Sequence, residues 1–265
     1  MSIESDSVRP LGLVTGASTG IGLALLSEFV EAGLDVLAVA DEEIPDTAGS
    51  SPTARAVRPV TADLATATGN EDVIAALESD PRPVVAAALN AGVGVNGRFD
   101  QTDIADQLRL LAVNVESPVR LAHYLTGVMT AQRYGRILIT SSVVSQGPGP
   151  NQSTYAASKA FLHSFAEAIR YELRDTGVTV TSLQPGPTDT AFFARAGMQR
   201  TWVARGPKAD PSQVAREGFA AMMAGKDRVV PGSWLLKAQS KASKLVPEAL
   251  TARFHASLAK PRDPS

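Results

Sequence analysis

Short apolar runs alternate along this chain with stretches whose apolar residues recur every three or four positions. Residues 11–14 read as a buried strand. Residues 23–32 read as a helix, with Leu25, Leu26, Phe29 and Val30 on one face. Gly33 is placed to cap that helix, and 35–40 follows as a second strand. The next stretch, 41–58, is rich in Pro, Gly, Ser, Thr and acids and reads as loop with at most a short helix. Residues 56–60 and 84–89 are apolar runs of the kind that parallel sheets bury on both faces, with a helix over 70–77 between them. The pattern continues with a long helical stretch over 103–133 despite Pro118, a strand at 136–140 and a helix over 154–175. A strand at 178–183, a helix over 211–224 and a last strand at 228–231 complete it. This alternation predicts an α/β fold with a doubly wound parallel sheet. We find no internal repeat and no interdomain linker, so 1–265 reads as a single domain. Ligands of such sheets bind at the carboxyl ends of the strands, near the switch in strand order.

Composition narrows the chemistry. Hydrophobic residues make up 44% of the 265 positions and charged residues 20%, as in an ordinary globular protein. A net charge of −2 gives no general pull toward nucleic acid or an anionic membrane. The absence of cysteine excludes disulfides, thiol nucleophiles and zinc–thiolate sites. His123, His163 and His255 show no metal-ligand spacing, so no metal is expected. No run approaches the roughly 18 apolar residues of a membrane span. The polar, acidic stretch 1–8 does not read as an ordinary signal peptide, which makes the cytoplasm the expected location.

Two patterns carry candidate chemistry. Strand 11–14 runs into Thr15-Gly16-Ala17-Ser18-Thr19-Gly20-Ile21-Gly22, and a helix follows at once. Glycines let the backbone turn sharply and approach a ligand, while the helix N-terminus offers free N–H groups to a pyrophosphate. The spacing is G-x-x-x-G-x-G rather than the usual G-x-G-x-x-G. Farther on, Tyr155 and Lys159 are four residues apart, on one face of the predicted helix. A phenol titrates near pH ~10, too high for rapid proton transfer at neutral pH. A neighbouring ammonium favours the phenolate and pulls that pKa down, so the pair is a way to build a proton-transfer group. By itself, an exposed Tyr-x-x-x-Lys is usually helix surface.

In company the motifs say more. Thr15-Gly16-x-x-x-Gly20-x-Gly22, Asn90-Ala91-Gly92, Ser142, Tyr155-x-x-x-Lys159 and Pro185-Gly186 stand in the order and spacing of the short-chain dehydrogenase/reductase family. The chain resembles the compact, single-domain branch of that family from about residue 11 to 190, which implies a Rossmann-type sheet. The resemblance implies a dinucleotide-dependent oxidoreductase that interconverts a secondary alcohol and a ketone. Tyr155 would be the acid/base, and Lys159 would lower its pKa and bind the nicotinamide ribose. Ser142 would hydrogen-bond the substrate oxygen, although Thr140-Ser141-Ser142 also reads as a plain strand end. Asn114 matches the family's helix asparagine, which keeps a water in a relay to Lys159.

The resemblance also places the cofactor. The turn residues Thr15, Gly16, Ser18, Thr19, Gly20, Ile21 and Gly22 would hold the pyrophosphate end. Asn90, Ala91 and Gly92 would pass under the adenine ribose. Asp63, with Leu64 beside it, would meet the adenine amino group; Asp63 also reads as a helix cap. Pro185 and Gly186 open the segment that closes on the nicotinamide, with Thr188 on its carboxamide and Thr190 on the pyrophosphate. Phe192, Phe193, Met198 and Trp202, in a substrate-loop region spanning 191–231, would form an apolar lid or simply core. They suggest an apolar substrate.

Cofactor choice is legible from charge. A carboxylate accepts the free ribose hydroxyls and repels a 2′-phosphate, which calls for arginine or lysine. Asp41, Glu42 and Glu43 follow the second strand, and Thr19 stands where NADP-users of the family often carry a basic residue. Ala40 stands where many NAD-users have their aspartate, and Arg55 or Arg58 could swing in. NAD is therefore expected, with NADP as the alternative. The resemblance also implies a homodimer or homotetramer.

From 237 to 262 there are six basic residues against Glu248, among Leu245, Val246, Leu250, Phe254 and Leu258. This reads as a helical extension over 232–265, covering the cleft or a subunit boundary. An amphipathic pair resting on a membrane surface is the less favoured reading. Two competing functions remain: an extended-branch enzyme acting on nucleotide sugars, and a dinucleotide-sensing regulator that catalyses nothing. The glycine spacing opposes the first. The presence of Asn114, Ser142, Tyr155 and Lys159 opposes the second.

Overall fold

Seven parallel strands form one sheet in the order β3-β2-β1-β4-β5-β6-β7. The computed structural model describes residues 9–45, 57–199 and 201–232. The strands are β1 (Leu11–Thr15), β2 (Asp35–Ala40), β3 (Val57–Thr61), β4 (Val84–Leu89), β5 (Gly135–Thr140), β6 (Val178–Leu183) and β7 (Arg228–Val229). Between them run helices α1 (Gly20–Glu31), α2 (Ala67–Glu78), α3 (Ile104–Leu111), α4 (Ser117–Gln132) and α5 (Ser153–Glu172). Two short helices, α6 (Phe192–Arg195) and α7 (Trp202–Arg205), precede α8 (Pro211–Met223).

The strands alternate their side chains between two cores because a strand's period is two. Ala87 and Leu89 of β4 and Ile137 and Ile139 of β5 join one core with Leu121, Leu125 and Met129 of α4 and Leu162 of α5. Ala86, Ala88 and Leu138 face the other way, onto Leu25, Leu26 and Phe29 of α1 and Val214 and Met222 of α8. Both faces of the sheet are thus covered, as its near-continuous apolar strands require. Strand order reverses between β1 and β4, and the crevice at that point holds the site described below.

Every predicted strand has a counterpart, but the last is cut to Arg228–Val229, and β3, at the edge of the sheet, is largely exposed rather than buried on both faces. The predicted helix over 103–133 is not one regular helix. Asp103 caps α3 by accepting from the Ala105 N–H at 2.9 Å, and residues Ala112–Glu116 then wind with the wider π spacing before α4 starts. Pro118 fits because it sits in the first turn of α4, where its missing N–H costs nothing. The helix predicted over 70–77 begins earlier, at Ala67, because the Thr66 hydroxyl accepts from the Gly69 N–H at 2.9 Å. Residue 56, Arg55, and the extension beyond residue 232 with its membrane-surface reading lie outside the described residues. No described helix is long and apolar enough to cross a membrane.

Candidate active site

A cleft of about 580 Å³ opens along the carboxyl ends of the strands. One end is built by the glycine-rich turn. Gly16 and Gly20 have φ of +67° and +58°, in the left-handed region that favours glycine. Close packing explains the third: a Cβ on Gly22 would lie 1.8 Å from the carbonyl oxygen of Gly16. The N-terminus of α1 has neither an acidic residue in its first turn nor a side-chain cap. Its free N–H groups and positive dipole end therefore face the cleft unopposed. The residues present fit an anionic pyrophosphate.

Thr15 and Asn90 hold the strand ends together. The Thr15 hydroxyl oxygen accepts from the N–H groups of Asn90 and Ala91 at 2.9 and 3.1 Å. The Asn90 side chain accepts from the Thr140 hydroxyl at 3.1 Å, joining β4 to β5. These bonds set the path of Asn90-Ala91-Gly92 along the cleft floor. Thr15, Gly22 and Asn114 stand behind the cleft wall. Gly16, Ser18, Thr19, Gly20, Ile21, Asp41, Asp63, Leu64, Asn90, Ala91 and Gly92 all line the cleft. So do Ser142, Tyr155, Lys159, Pro185, Gly186, Thr188 and Thr190.

Asn114, fully buried in the π turn, is a structural hub. Its Oδ1 accepts from the Val93 N–H at 2.9 Å, and its Nδ2 donates to the Val93 carbonyl at 2.9 Å and to the Ser158 hydroxyl at 3.1 Å. The π turn thereby locks the Gly92-Val93 segment to α5, one residue from Lys159. Lys159 is 3% exposed and donates from Nζ to the Thr140 carbonyl oxygen at 2.9 Å. Ser141, the alternative to Ser142, donates to the Lys159 carbonyl oxygen at 2.6 Å and so is used structurally. Ser142 donates to the Pro185 carbonyl oxygen at 3.4 Å, accepts from the Val144 N–H at 3.3 Å and lines the cleft beside Tyr155.

The electrostatics depart from the sequence-based expectation. Burial pushes the Tyr155 phenol up to about 12, with the Ser142 hydroxyl pulling the other way. Burial also pulls the Lys159 ammonium down to about 8. Tyr155 as a residue is half-buried and lines the cleft. Burial sets the net direction of the phenol's shift here. The Lys159 Nζ sits over the Tyr155 ring, 5.8 Å from the centroid, and is itself desolvated.

The far end of the cleft is apolar. Phe192 packs on Tyr155 with ring centroids 5.3 Å apart, and Phe193 and Met198 form a small buried cluster with Ala196 and Ala204. Trp202 departs from the predicted lid: it is 52% exposed and does not line the cleft. Two glutamines give this end polar points. Gln146 donates to the fully buried Gln184 at 3.2 Å, and Gln152 meets only the thioether of Met198, a weak acceptor. The segment after β6 is pinned by hydrogen bonds between Asp189 and Ala209 and between Ala209 and Pro187.

The end of the cleft beside β2 and β3 holds two cations that sequence reasoning missed. Asp63 is clasped by Arg109, with nitrogen–oxygen distances of 2.9 and 3.0 Å, and accepts from the Ala65 N–H at 3.0 Å. The Arg109 hydrogen bond holds its carboxyl below the ordinary aspartate range. Arg195 pairs with Glu42 at 2.8 Å. Arg58 does not reach the cleft: it bonds Ala76 and Ser79 at the end of α2. No local signal marks Arg109 or Arg195, because their partners lie 46 and 153 residues away. Among the described residues there is no group of three or more metal-ligating side chains.

Known proteins resemble this chain in sequence and in fold. A family model described as short chain dehydrogenase matches residues 11–201. An uncharacterised short-chain type dehydrogenase/reductase of Sinorhizobium fredii is 33% identical over 192 residues, covering 70% of this chain and 73% of its own. Sulfoacetaldehyde reductase 2 of Chromohalobacter salexigens is 30% identical over 184 residues, covering 68% and 73%. Among solved structures, a short-chain dehydrogenase from Sphingobium yanoikuyae in complex with NADPH superposes with a TM-score of 0.78 at 25% identity, covering 91% of this chain and 97% of that one. This chain belongs to the short-chain dehydrogenase/reductase family of oxidoreductases.

Proposed function

We propose that the protein interconverts a secondary alcohol and a ketone with a nicotinamide dinucleotide, and that Tyr155 is its acid/base. The observation that carries this reading is the convergence of Ser142, Tyr155 and Lys159 on one wall of the cleft whose other end is the glycine-rich turn. When bound, the nicotinamide supplies or takes up the hydride and in its oxidised form brings a positive charge. In ketone reduction the substrate oxygen accepts hydrogen bonds from the Ser142 hydroxyl and the Tyr155 phenol. As the carbon gains hydride, Tyr155 gives its proton to that oxygen. A phenol raised by burial stays protonated and is ready to donate. In alcohol oxidation the proton runs the other way, and a positive charge in the cleft favours the phenolate that must accept it. Lys159 holds the geometry through Thr140 and would reach the ribose hydroxyls.

NAD is the favoured cofactor in this reading. Asp41, Glu42 and Glu43 lie at the end of β2, and both arginines of the lining are engaged by carboxylates. The NADPH held by the Sphingobium protein supports NADP as the alternative. Phe192, Phe193, Met198 and Val144 favour a substrate with an apolar body. Exposed Ile104 and Leu108 on α3 and Phe161 on α5 support assembly into a homodimer or homotetramer through the long helices.

The test is dinucleotide-monitored turnover across ketones and secondary alcohols with both cofactors. We expect oxidoreduction of apolar ketones with NADH preferred. Turnover confined to small, highly polar sugars would sink the substrate reading.

A further inference from the structure

One ion pair spans the mouth of the cleft. A guanidinium nitrogen of Arg195, the last residue of α6, lies 2.8 Å from Oε2 of Glu42, two residues beyond β2. Both residues line the cleft, and both side chains are about half exposed. Helix α6 begins at Phe192, which packs on Tyr155. A helix of four residues therefore touches the candidate acid/base with its first residue and the loop after β2 with its last.

The cations of the lining are not equivalent. Lys159 is buried and committed to Thr140. Arg109 presents two nitrogens to the two oxygens of Asp63, so its fork is filled. Arg195 reaches one oxygen of Glu42 with one guanidinium nitrogen, at an exposed place, and among the described residues its fork is not filled as that of Arg109 is. Exposed pairs of this kind contribute on the order of 0–1 kcal/mol, so exchanging the partner costs little. A phosphate dianion is the stronger acceptor and matches the guanidinium fork.

We infer that Glu42 and Arg195 form the pair that discriminates between NAD and NADP: Arg195 is the cation a 2′-phosphate would take, and Glu42 is the carboxylate that holds it back. The inference rests on the dinucleotide reading above. With free ribose hydroxyls the pair stays closed, and Asp41 remains as the acceptor. A 2′-phosphate must draw Arg195 from Glu42, and it then meets the like charge of that carboxylate. The phosphate-binding cation comes from the substrate loop rather than from the strand-end loop itself, which is why the residues after β2 read as purely acidic.

The test is direct binding of NAD and NADP, by calorimetry or protein fluorescence, to the full chain and to Glu42→Gln, Arg195→Gln and the double variant. Both side chains are exposed, so the variants are expected to fold. We expect wild type to bind NAD more tightly. Glu42→Gln should gain about tenfold in NADP affinity with NAD affinity near wild type, the scale of one charge-assisted contact. Adding Arg195→Gln should remove that gain. If the double variant keeps it, or if Glu42→Gln leaves the NAD-to-NADP ratio unchanged, the inference is wrong while the dinucleotide reading stands. An NADP preference in wild type that survives Arg195→Gln overturns it equally. If wild type binds neither dinucleotide, the cofactor reading fails and the inference falls with it.

Discussion

The Nζ of Lys159 lies 5.8 Å from the centroid of the Tyr155 ring and donates to the carbonyl oxygen of Thr140 at 2.9 Å. The two side chains share a helix face, yet the lysine serves the strand end rather than the phenol. Both are held toward neutrality by burial, the phenol up to about 12 and the ammonium down to about 8.

This has a consequence for stability. Below pH 8 the folded, cofactor-free protein keeps a buried ammonium; in the unfolded chain the same group titrates near its ordinary value of 10.5. Between those values the unfolded state binds more protons, so stability rises with pH. Above pH 10 the tyrosine reverses the slope, because the folded phenol keeps a proton that the unfolded one has lost. We expect wild type to gain on the order of 2 kcal/mol from pH 8 to pH 10 relative to Lys159→Met. Denaturant unfolding of both proteins across that window checks it; parallel curves would count against the buried ammonium.

Asn114 satisfies three hydrogen bonds while fully buried. Asn114→Ala leaves the Val93 N–H and carbonyl without partners and should cost at least about 2 kcal/mol. Ser158→Ala removes only one of these bonds and should cost less. Urea midpoints at constant slope compare the two, and equal costs would mean that the asparagine is not the hub.

The turn depends on Gly22 for space rather than for backbone conformation. A Cβ there would meet the Gly16 carbonyl oxygen at 1.8 Å, and that oxygen belongs to the backbone and has no rotamer to escape by. Gly22→Ala should weaken dinucleotide binding at least about tenfold. Titration calorimetry reads this directly; unchanged affinity would show that the turn is not part of the cofactor site.

Asp63 and Arg109 pair at a half-exposed place, with side chains 41% and 46% exposed. The depressed carboxyl contributes stability that is present above the ordinary aspartate range and lost as pH falls through its lowered value. Arg109→Gln should leave neutral-pH stability within about 1 kcal/mol of wild type, and the curves should differ in slope only in acid. A large loss at neutral pH would contradict this.

The central strands were legible because they are short runs bounded by turn residues and buried on both faces, whereas the edge strands β3 and β7 are only partly covered. The glycine turn and the Tyr155 pair were legible from spacing and context. The break in the helix over 103–133 was not, since Leu111 to Ser117 continues the helical pattern and the π turn is imposed by the bonds of Asn114 to Val93 and Ser158. Arg109 and Arg195 were invisible because a partner 46 or 153 residues away leaves no periodicity in the chain. The direction of the Tyr155 shift was misread because spacing reports proximity to a charge and says nothing about desolvation.

The most direct measurement is Tyr155→Phe, with dinucleotide affinity and turnover of an active ketone measured on the same preparation. We expect affinity near wild type and a fall in turnover of about 10²-fold or more, the scale of a positioned proton donor. A phenylalanine variant that turns over as fast as wild type would contradict the assignment of Tyr155 as the acid/base.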